Sequence, residues 1–377
     1  MEAKRFLIVC LMVVACGEGD LVDPGPPYRA HVVSFVRGDP KKLFELHEQA
    51  LPTMTSLKTL SGQEMKIDPG VLAKIDGPGC KVALGGGDHH LRYRLEDGVI
   101  IPRDHKTLMV LSLYHNFERV FADFQSISGR TIQQMLEGFG LSSFRILFEP
   151  LIQGPRGLGQ ARIAAADNAF FTIDPVTWAT FPYGGSFLVD SAADYLTLAH
   201  EFGHMVFHGT FYRFAKTDDD TGRYGKEYAI SGINEGFADF TAYIMTGETD
   251  NFGSRFIKSK DARKKLKDRD FANQLFSYAD LKSDSSCEGG FYCIGTIFAR
   301  SLLQFEQRSA ATFQDKYQGA NLYKQLLAAL ESTRSTIDSF SADAMPPFDE
   351  KPEPKCDLAE IFSSHTKDWE YDGKSQQ

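Results

Sequence analysis

The sequence has no hydrophobic run long enough to cross a bilayer. The apolar stretch at the N-terminus, Phe6 to Ala15, covers ten residues, about half of what a spanning helix needs, and no second one follows. Positive charge is in the minority: 41 Lys and Arg stand against 50 Asp and Glu, a formal net charge of −9, which argues against a nucleic-acid partner. The densest basic run, Lys258 to Arg269, is interleaved with acids and reads as a solvated helix face. No internal repeat is visible, so solenoid and propeller architectures are excluded. Cysteine is sparse, six in 377 residues.

The short apolar run reads as an export signal. Lys4 and Arg5 precede it, and Val13-Val14-Ala15-Cys16 resembles a lipobox. Residues 1–15 are therefore expected to be a lipoprotein signal peptide, with an ordinary secretory signal as the alternative. Cys16 would carry the lipid, and the residue after it is Gly17, not the Asp linked to inner-membrane retention. The expected address is a bacterial periplasm or cell surface, anchored to the outer membrane through the N-terminal lipid. Residues 16–30, rich in Gly, Pro and acids, read as a flexible tether. Loss of the signal takes two basic and one acidic residue and leaves a formal charge of about −10. It also removes Cys10, and once Cys16 is lipidated four cysteines remain. An even number in an exported chain suggests two disulfides with three possible connectivities. Cys287–Cys293 and Cys80–Cys356 are the expected pairs.

Against this spare background stands His200-Glu201-Phe202-Gly203-His204, followed by Asn234-Glu235-Gly236-Phe237-Ala238-Asp239. Ser191-Ala-Ala-Asp194 has the spacing of a capping box, and Ala192 to His208 carries no Pro and only Gly203 as a weak point for a helix. On that helix His200 and His204 sit one turn apart on one face, roughly 5–6 Å apart at Cβ, so both imidazoles can converge on one metal. Glu201 lies about 100° around the axis and can reach a water at the metal without ligating it. A second helix is expected from about Ser231 to Gly247, a plausible C′ residue. On it Glu235 is the third ligand, and Asp239, four residues on, can accept the spare ring N–H of a ligand His, His200 by preference. Asn234 is placed behind the ligands as well. Two His and one Glu with an open fourth position are the ligand set of a zinc hydrolase. His208 rises about 12 Å along the helix from His200, too far to share its metal, and reads as a packing or surface residue. A metzincin would need a third His at Thr210.

At these residues the chain resembles the gluzincin metallopeptidases of the thermolysin and fungalysin type. Ser231-Gly-Ile-Asn-Glu-Gly-Phe-Ala-Asp-Phe240 is similar to their glutamate-ligand helix, and Asp167-Asn168-Ala169-Phe170-Phe171 to the N-A-F-W edge strand of thermolysin-like enzymes. Tyr114-His115-Asn116-Phe117 resembles the start of the long helix before that strand. The resemblance runs from about Leu108 to Leu303. It implies that Asn168 and Ala169 bind substrate main chain, and that the fold is a two-lobed α+β zincin. Its β-rich N-terminal lobe with the active-site helix would cover 31–208, and a mainly helical lobe with the glutamate ligand 209–377. The family's oxyanion-stabilising His has no counterpart in Gly290 to Gly295. Tyr292, in a Y-x-x-G pattern resembling gluzincin aminopeptidases, is the first candidate for that role and Tyr228 the second, since a phenol can donate to an oxyanion. The aminopeptidase G-x-M-E-N motif is absent.

The remaining pattern agrees with this layout. Arg29 to Arg37 alternates as a strand does. Cys80 to Pro102 suggests a hairpin around Gly85-Gly-Gly-Asp88, and adjacent His89-His90 on such a strand would face opposite ways. A long helix is expected over Leu108–Ile127 and strands over Ser143–Ile152 and Ala161–Ile173. Asp218-Asp219-Asp220 before Gly222 is a candidate for calcium that lacks the full loop, and reads first as a solvated acidic turn. The expected activity is zinc-dependent hydrolysis of peptide bonds in a peptide or protein substrate, as an endopeptidase, with Glu201 as general base. A zinc aminopeptidase, or a surface lipoprotein that binds on this scaffold with little turnover, stays open as an alternative. The sequence carries no signal of oligomeric state.

Overall fold

The structure is a computed structural model that describes residues 23–35, 44–76, 81–84, 90–153, 162–163, 169–173, 176–180, 190–211, 224–250, 270–273, 291–313 and 318–339. Cys16 and the signal before it, Cys80, His89, Asn168, Asp218 to Asp220, the basic run 258–269, Cys287 and Cys356 lie outside these residues. Strands dominate the first half and helices the second, giving a mixed α and β fold with three sheets and six helices among the described residues. None of these helices is long and apolar enough to cross a membrane.

The first sheet joins β1 (Tyr28–Phe35), β2 (Phe44–Leu51), β8 (Tyr93–Glu96) and β9 (Val99–Pro102) in the order β2-β1-β9-β8. The second is six-stranded and holds β3 (Met54–Ser56), β4 (Ser61–Gly62), β5 (Met65–Pro69), β10 (Phe144–Phe148), β13 (Ala169–Ile173) and β14 (Val176–Thr180), in the order β13-β14-β10-β5-β4-β3. The third orders β12 (Arg162–Ile163), β11 (Leu151–Gln153), β6 (Leu72–Asp76) and β7 (Lys81–Leu84) as β12-β11-β6-β7.

Two local features differ from the sequence reading. The expected turn Gly85 to Asp88 lies outside the described residues, and the strands on either side of it have other partners: β7 pairs with β6, and β8 pairs with β9 across Asp97-Gly98. Both of those residues have positive φ, 51° and 79°, the conformation of a two-residue type I′ turn, for which Asp-Gly is among the favoured pairs. The strand expected over 143–152 is divided in two. β10 and β11 each run parallel to β5 and β6, but Glu149 (φ 49°) and Gly70 (φ 61°) leave the ladder at the same level and turn the ribbon from the second sheet into the third. Glu149 then donates its N–H to Thr180 O at 2.8 Å. Of the expected strand over 161–173, only β12 and β13 are described, and they belong to different sheets.

The helix α1 (His105–Ser128) forms the axis of the core. Asp104 caps it by accepting from Thr107 N at 2.7 Å, and Gly129 (φ 74°) ends it. A helix apolar on most of its circumference must be covered on most sides, and α1 meets β1, α3 (Tyr195–Thr210) and α6 (Gly319–Ser339). Phe117 sets its ring edge-on to Trp178 of β14 at 4.7 Å, and Phe121 and Phe124 reach Phe202 of α3 at 5.8 and 5.2 Å. This aromatic layer locks α3 against the second sheet. α2 (Ile132–Phe139), closed by a Thr131–Gln134 capping box, also packs on α3. On its other side α3 meets α4 (Tyr224–Thr246), which in turn packs along α5 (Phe291–Phe313).

Candidate metal centre

α3 begins at Tyr195, one turn later than the Ser191 box predicts. Asp190 accounts for the difference. Its carboxylate accepts from Ala192 N at 3.0 Å, and its carbonyl takes Ala193 N and Asp194 N, so residues 190–193 close as a separate turn. Asp194 is then the cap, accepting from Leu196 N at 3.1 Å and from Thr197 Oγ1 at 2.7 Å. Burial holds the Asp190 carboxyl above the usual carboxylate range, partly offset by the Ala192 N–H and by His105. α4 starts at Tyr224, about two turns before the expected Ser231, and ends where Gly247 (φ 80°) donates to Tyr243 O at 2.6 Å.

The crossing of α3 and α4 is set by glycine. A Cβ on Gly203 would lie 2.6 Å from Ala238 Cα and 3.1 Å from Thr241 Cβ, so only a residue without a side chain lets the two backbones approach this closely. On the opposite side of α4, a Cβ on Gly236 would run into the carbonyl of Gly295 on α5, and one on Gly295 would meet Glu235 Cβ at 2.9 Å. α4 is thus held between two glycine contacts, one and three residues from Glu235.

That clamp brings the carboxylate to the histidines. The Nε2 atoms of His200 and His204 lie 3.1 Å apart with their rings nearly perpendicular. Glu235 approaches both, Oε2 at 3.5 Å from His200 Nε2 and Oε1 at 3.7 Å from His204 Nε2. Among the described residues, ligand-capable atoms of His200, Glu201 and His204 fall within 4.8 Å of one another, so Glu201 stands at the same point from α3 while Glu235 reaches it from α4. His200, Glu201 and His204 are buried, and Glu235 is partly open. Asp239, 1% exposed, sets Oδ1 2.9 Å from His200 Nδ1. Asn234 Oδ1 is 2.9 Å from His204 Nδ1. Each histidine therefore presents Nε2 to the common point with Nδ1 beside an oxygen behind it: His204 hydrogen-bonds Asn234, the arrangement that fixes the tautomer of a metal-binding imidazole, and His200 has the Asp239 carboxylate within ion-pair distance.

These residues fit a zinc ion. In a tetrahedral site with metal–ligand distances near 2.0–2.1 Å, ligand atoms lie about 3.3 Å apart, and the three separations here bracket that value. The atom types, two imidazole nitrogens and a carboxylate, are those of a zinc site with one open position.

The other expected residues are placed less tightly. Ala169 opens β13, one of the two edge strands of the six-stranded sheet among the described residues, and that strand packs against α3. Tyr292 is half-buried in the first turn of α5, where its carbonyl accepts from Thr296 Oγ1. Tyr228 lies in α4, its side chain outside the described residues. Cys293 is buried and disulfide-bonded, and Cys287, its expected partner, is outside the described residues. His90 is exposed and lies in no strand. Of the two roles expected for His208, packing is the one observed: it is 8% exposed, with Nε2 3.2 Å from Asn234 Nδ2. The distance argument kept His208 out of the ligand set, and the i, i+4, i+8 spacing of His200, His204 and His208 was the available signal for its contact with Asn234.

No protein-family model matches the chain, and no curated protein matches it. Among solved structures it is similar to the precursor of protealysin, a metalloproteinase from Serratia proteamaculans, at 14% identity and a TM-score of 0.26 over 51% of this chain and 47% of that one. The chain thus matches less than half the length of that structure.

Proposed function

We propose that this chain is a zinc-dependent endopeptidase acting outside the cytoplasm. The observation that carries this reading is the meeting of His200 Nε2, His204 Nε2 and the Glu235 carboxylate at separations of 3.1–3.7 Å, with Glu201 buried beside them. His200, His204 and Glu235 would hold the ion. Zinc bound there supplies a Lewis acid that makes water acidic enough to be deprotonated near neutral pH.

The chain's own residues do the rest. Glu201 takes the proton from the attacking water at its carboxylate and then delivers it to the leaving amine. Its burial on the rigid α3 keeps that carboxylate in place. Asp239 and Asn234 hold the two imidazoles with Nε2 forward. The Tyr292 hydroxyl donates to the oxyanion as it forms. Substrate main chain pairs with β13 at Ala169, and with Asn168 just before it, as an added strand. The outer position of β13 in its sheet and its packing on α3 support that placement.

The test is digestion of an unfolded protein such as casein, with and without a zinc chelator, beside Glu201→Gln. Cleavage that needs both metal and Glu201 establishes the peptidase. Cleavage confined to unblocked N-termini would turn the reading to an aminopeptidase, and bound zinc with no cleavage to a binding protein. A chain that binds no zinc ends the reading. Export through a lipid on Cys16 is part of the proposal. A palmitate analogue should label the wild type and not Cys16→Ser, and equal labelling of both rejects the anchor.

A further inference from the structure

We infer that His208 is a positioning residue for the metal ligand His204, acting through Asn234. The inference rests on the zinc reading above. A metal on His204 Nε2 leaves the proton on Nδ1, so the atom facing Nδ1 at 2.9 Å must accept, and Asn234 Oδ1 does. The amide then points its NH2 the other way, at His208 Nε2, 3.2 Å off. That nitrogen must carry a lone pair, which makes His208 the Nδ1–H tautomer.

The two ends of an amide are nearly the same size, so shape alone does not choose between its two orientations. Turned over, Asn234 would set N–H against the N–H of His204. With His208 in the Nδ1–H tautomer, its Nε2 lone pair opposes that orientation, because the carbonyl would then face a lone pair. His208 is itself held against drift. Its ring stacks on Phe171 of β13 at 5.9 Å and stands perpendicular to Phe207 at 5.8 Å. The same histidine thus joins the zinc-facing side of α3 to the strand proposed to receive substrate. It does so without touching the metal, about 12 Å along the helix from His200.

The experiment measures the zinc dissociation constant by competition with a chromophoric chelator for the full chain and four variants. The variants are His208→Phe, His208→Gln, Asn234→Ala and the Asn234→Ala/His208→Phe pair. His208→Phe keeps a ring for Phe171 and removes the acceptor; His208→Gln keeps an acceptor and removes the ring. Partners behind a ligand are worth 10–100-fold in metal affinity, and an indirect one should fall near the low end. His208→Phe is expected to weaken zinc about tenfold, His208→Gln to restore it, and the double variant to be no weaker than Asn234→Ala alone. Thermal unfolding of the zinc-free forms should not follow the same order. The inference is overturned if His208→Phe binds zinc as tightly as the wild type. It is overturned equally if the two losses add, since His208 would then act by another route. A wild type that binds no zinc would refute the metal reading itself, which separates that failure from this one.

Discussion

Gly203→Ala tests whether backbone contact between α3 and α4 sets the metal site. The added methyl would stand 2.6 Å from Ala238 Cα, 3.1 Å from Thr241 Cβ and 3.2 Å from Ala238 Cβ. Carbon atoms settle near 3.5–4.0 Å, so the helices must part by about 1 Å. The nearest obstacle is backbone, which no rotamer change relieves. Overpacking of this kind costs about 1–3 kcal/mol, and replacing a mid-helix Gly by Ala returns up to about 1 kcal/mol. The zinc-free protein should therefore lose roughly 0–2 kcal/mol, a few degrees in melting temperature. The metal site should suffer more, because workable metal–ligand distances hold within about 0.2 Å and Glu235 would be withdrawn by several times that. Chelator competition should show zinc binding at least about tenfold weaker. Gly209→Ala is the control on the same helix. Its Cβ meets Met135 Cε at 2.8 Å and the Phe139 ring at 3.0 Å, flexible side chains on α2 that can yield without moving a ligand. Unchanged zinc affinity in a folded Gly203→Ala protein, or equal loss in both variants, refutes the reasoning.

Three further outcomes follow from the same geometry. Asp239→Asn keeps the shape beside His200 but removes the carboxylate 2.9 Å from its Nδ1, and zinc affinity should fall about 10–100-fold; chelator competition that finds no change excludes the role. Tyr292→Phe should lower kcat on the order of 10²-fold with KM little altered, as for a donor engaged only in the transition state; steady-state kinetics equal to wild type would remove Tyr292 from the mechanism. Glu118, buried on α1, has its carboxyl pushed up to about 7 by burial, against the Thr53 hydrogen bonds that lower it. The folded state thus holds a proton that the unfolded state releases near its ordinary value, so this contribution is present at low pH and is lost as pH rises toward 7. His115, pushed down to about 4 by burial, works in the opposite direction as pH falls. The stability difference between Glu118→Gln and wild type isolates the first effect. It should grow in favour of the variant between about pH 4.5 and 7, by up to about 3 kcal/mol, and a difference that stays flat in denaturant titrations refutes it.

What the sequence made legible was whatever a single helical period decides. His200 with His204, and Glu235 with Asp239, are each four apart, and the period places each pair on one face whatever surrounds it. The choice between competing local signals was less legible. The sequence makes Ser191 the helix cap, and the Asp190 carboxylate, closing its own turn, passes the role to Asp194. Likewise Gly85-Gly86-Gly87-Asp88 reads as a turn, but the described hairpin turns at Asp97-Gly98. The second is the hairpin because two strands of matching register flank it, whereas β7 finds its partner upstream in β6. Pairing of that kind is a property of the whole sheet, and no window of residues around a turn contains it.

The separation of α3 and α4 was legible least of all, although its signal lay inside the motif. In a helix read alone, Gly203 is a defect, worth about 1 kcal/mol against Ala. In the fold it is the point where α4 comes close enough for Glu235 to reach both histidines. The same argument makes Gly236 different in kind. A Cβ there would strike the Gly295 carbonyl on α5, and α4 cannot retreat, because Gly203 already holds Ala238 at contact on its other face. The strain must move α5, which carries Tyr292 in its first turn. Gly236→Ala should therefore keep zinc close to wild-type affinity while kcat falls, the reverse emphasis from Gly203→Ala. If zinc and catalysis are lost together in Gly236→Ala, α4 is the helix that yields, and the clamp does not have the order of rigidity argued from these contacts.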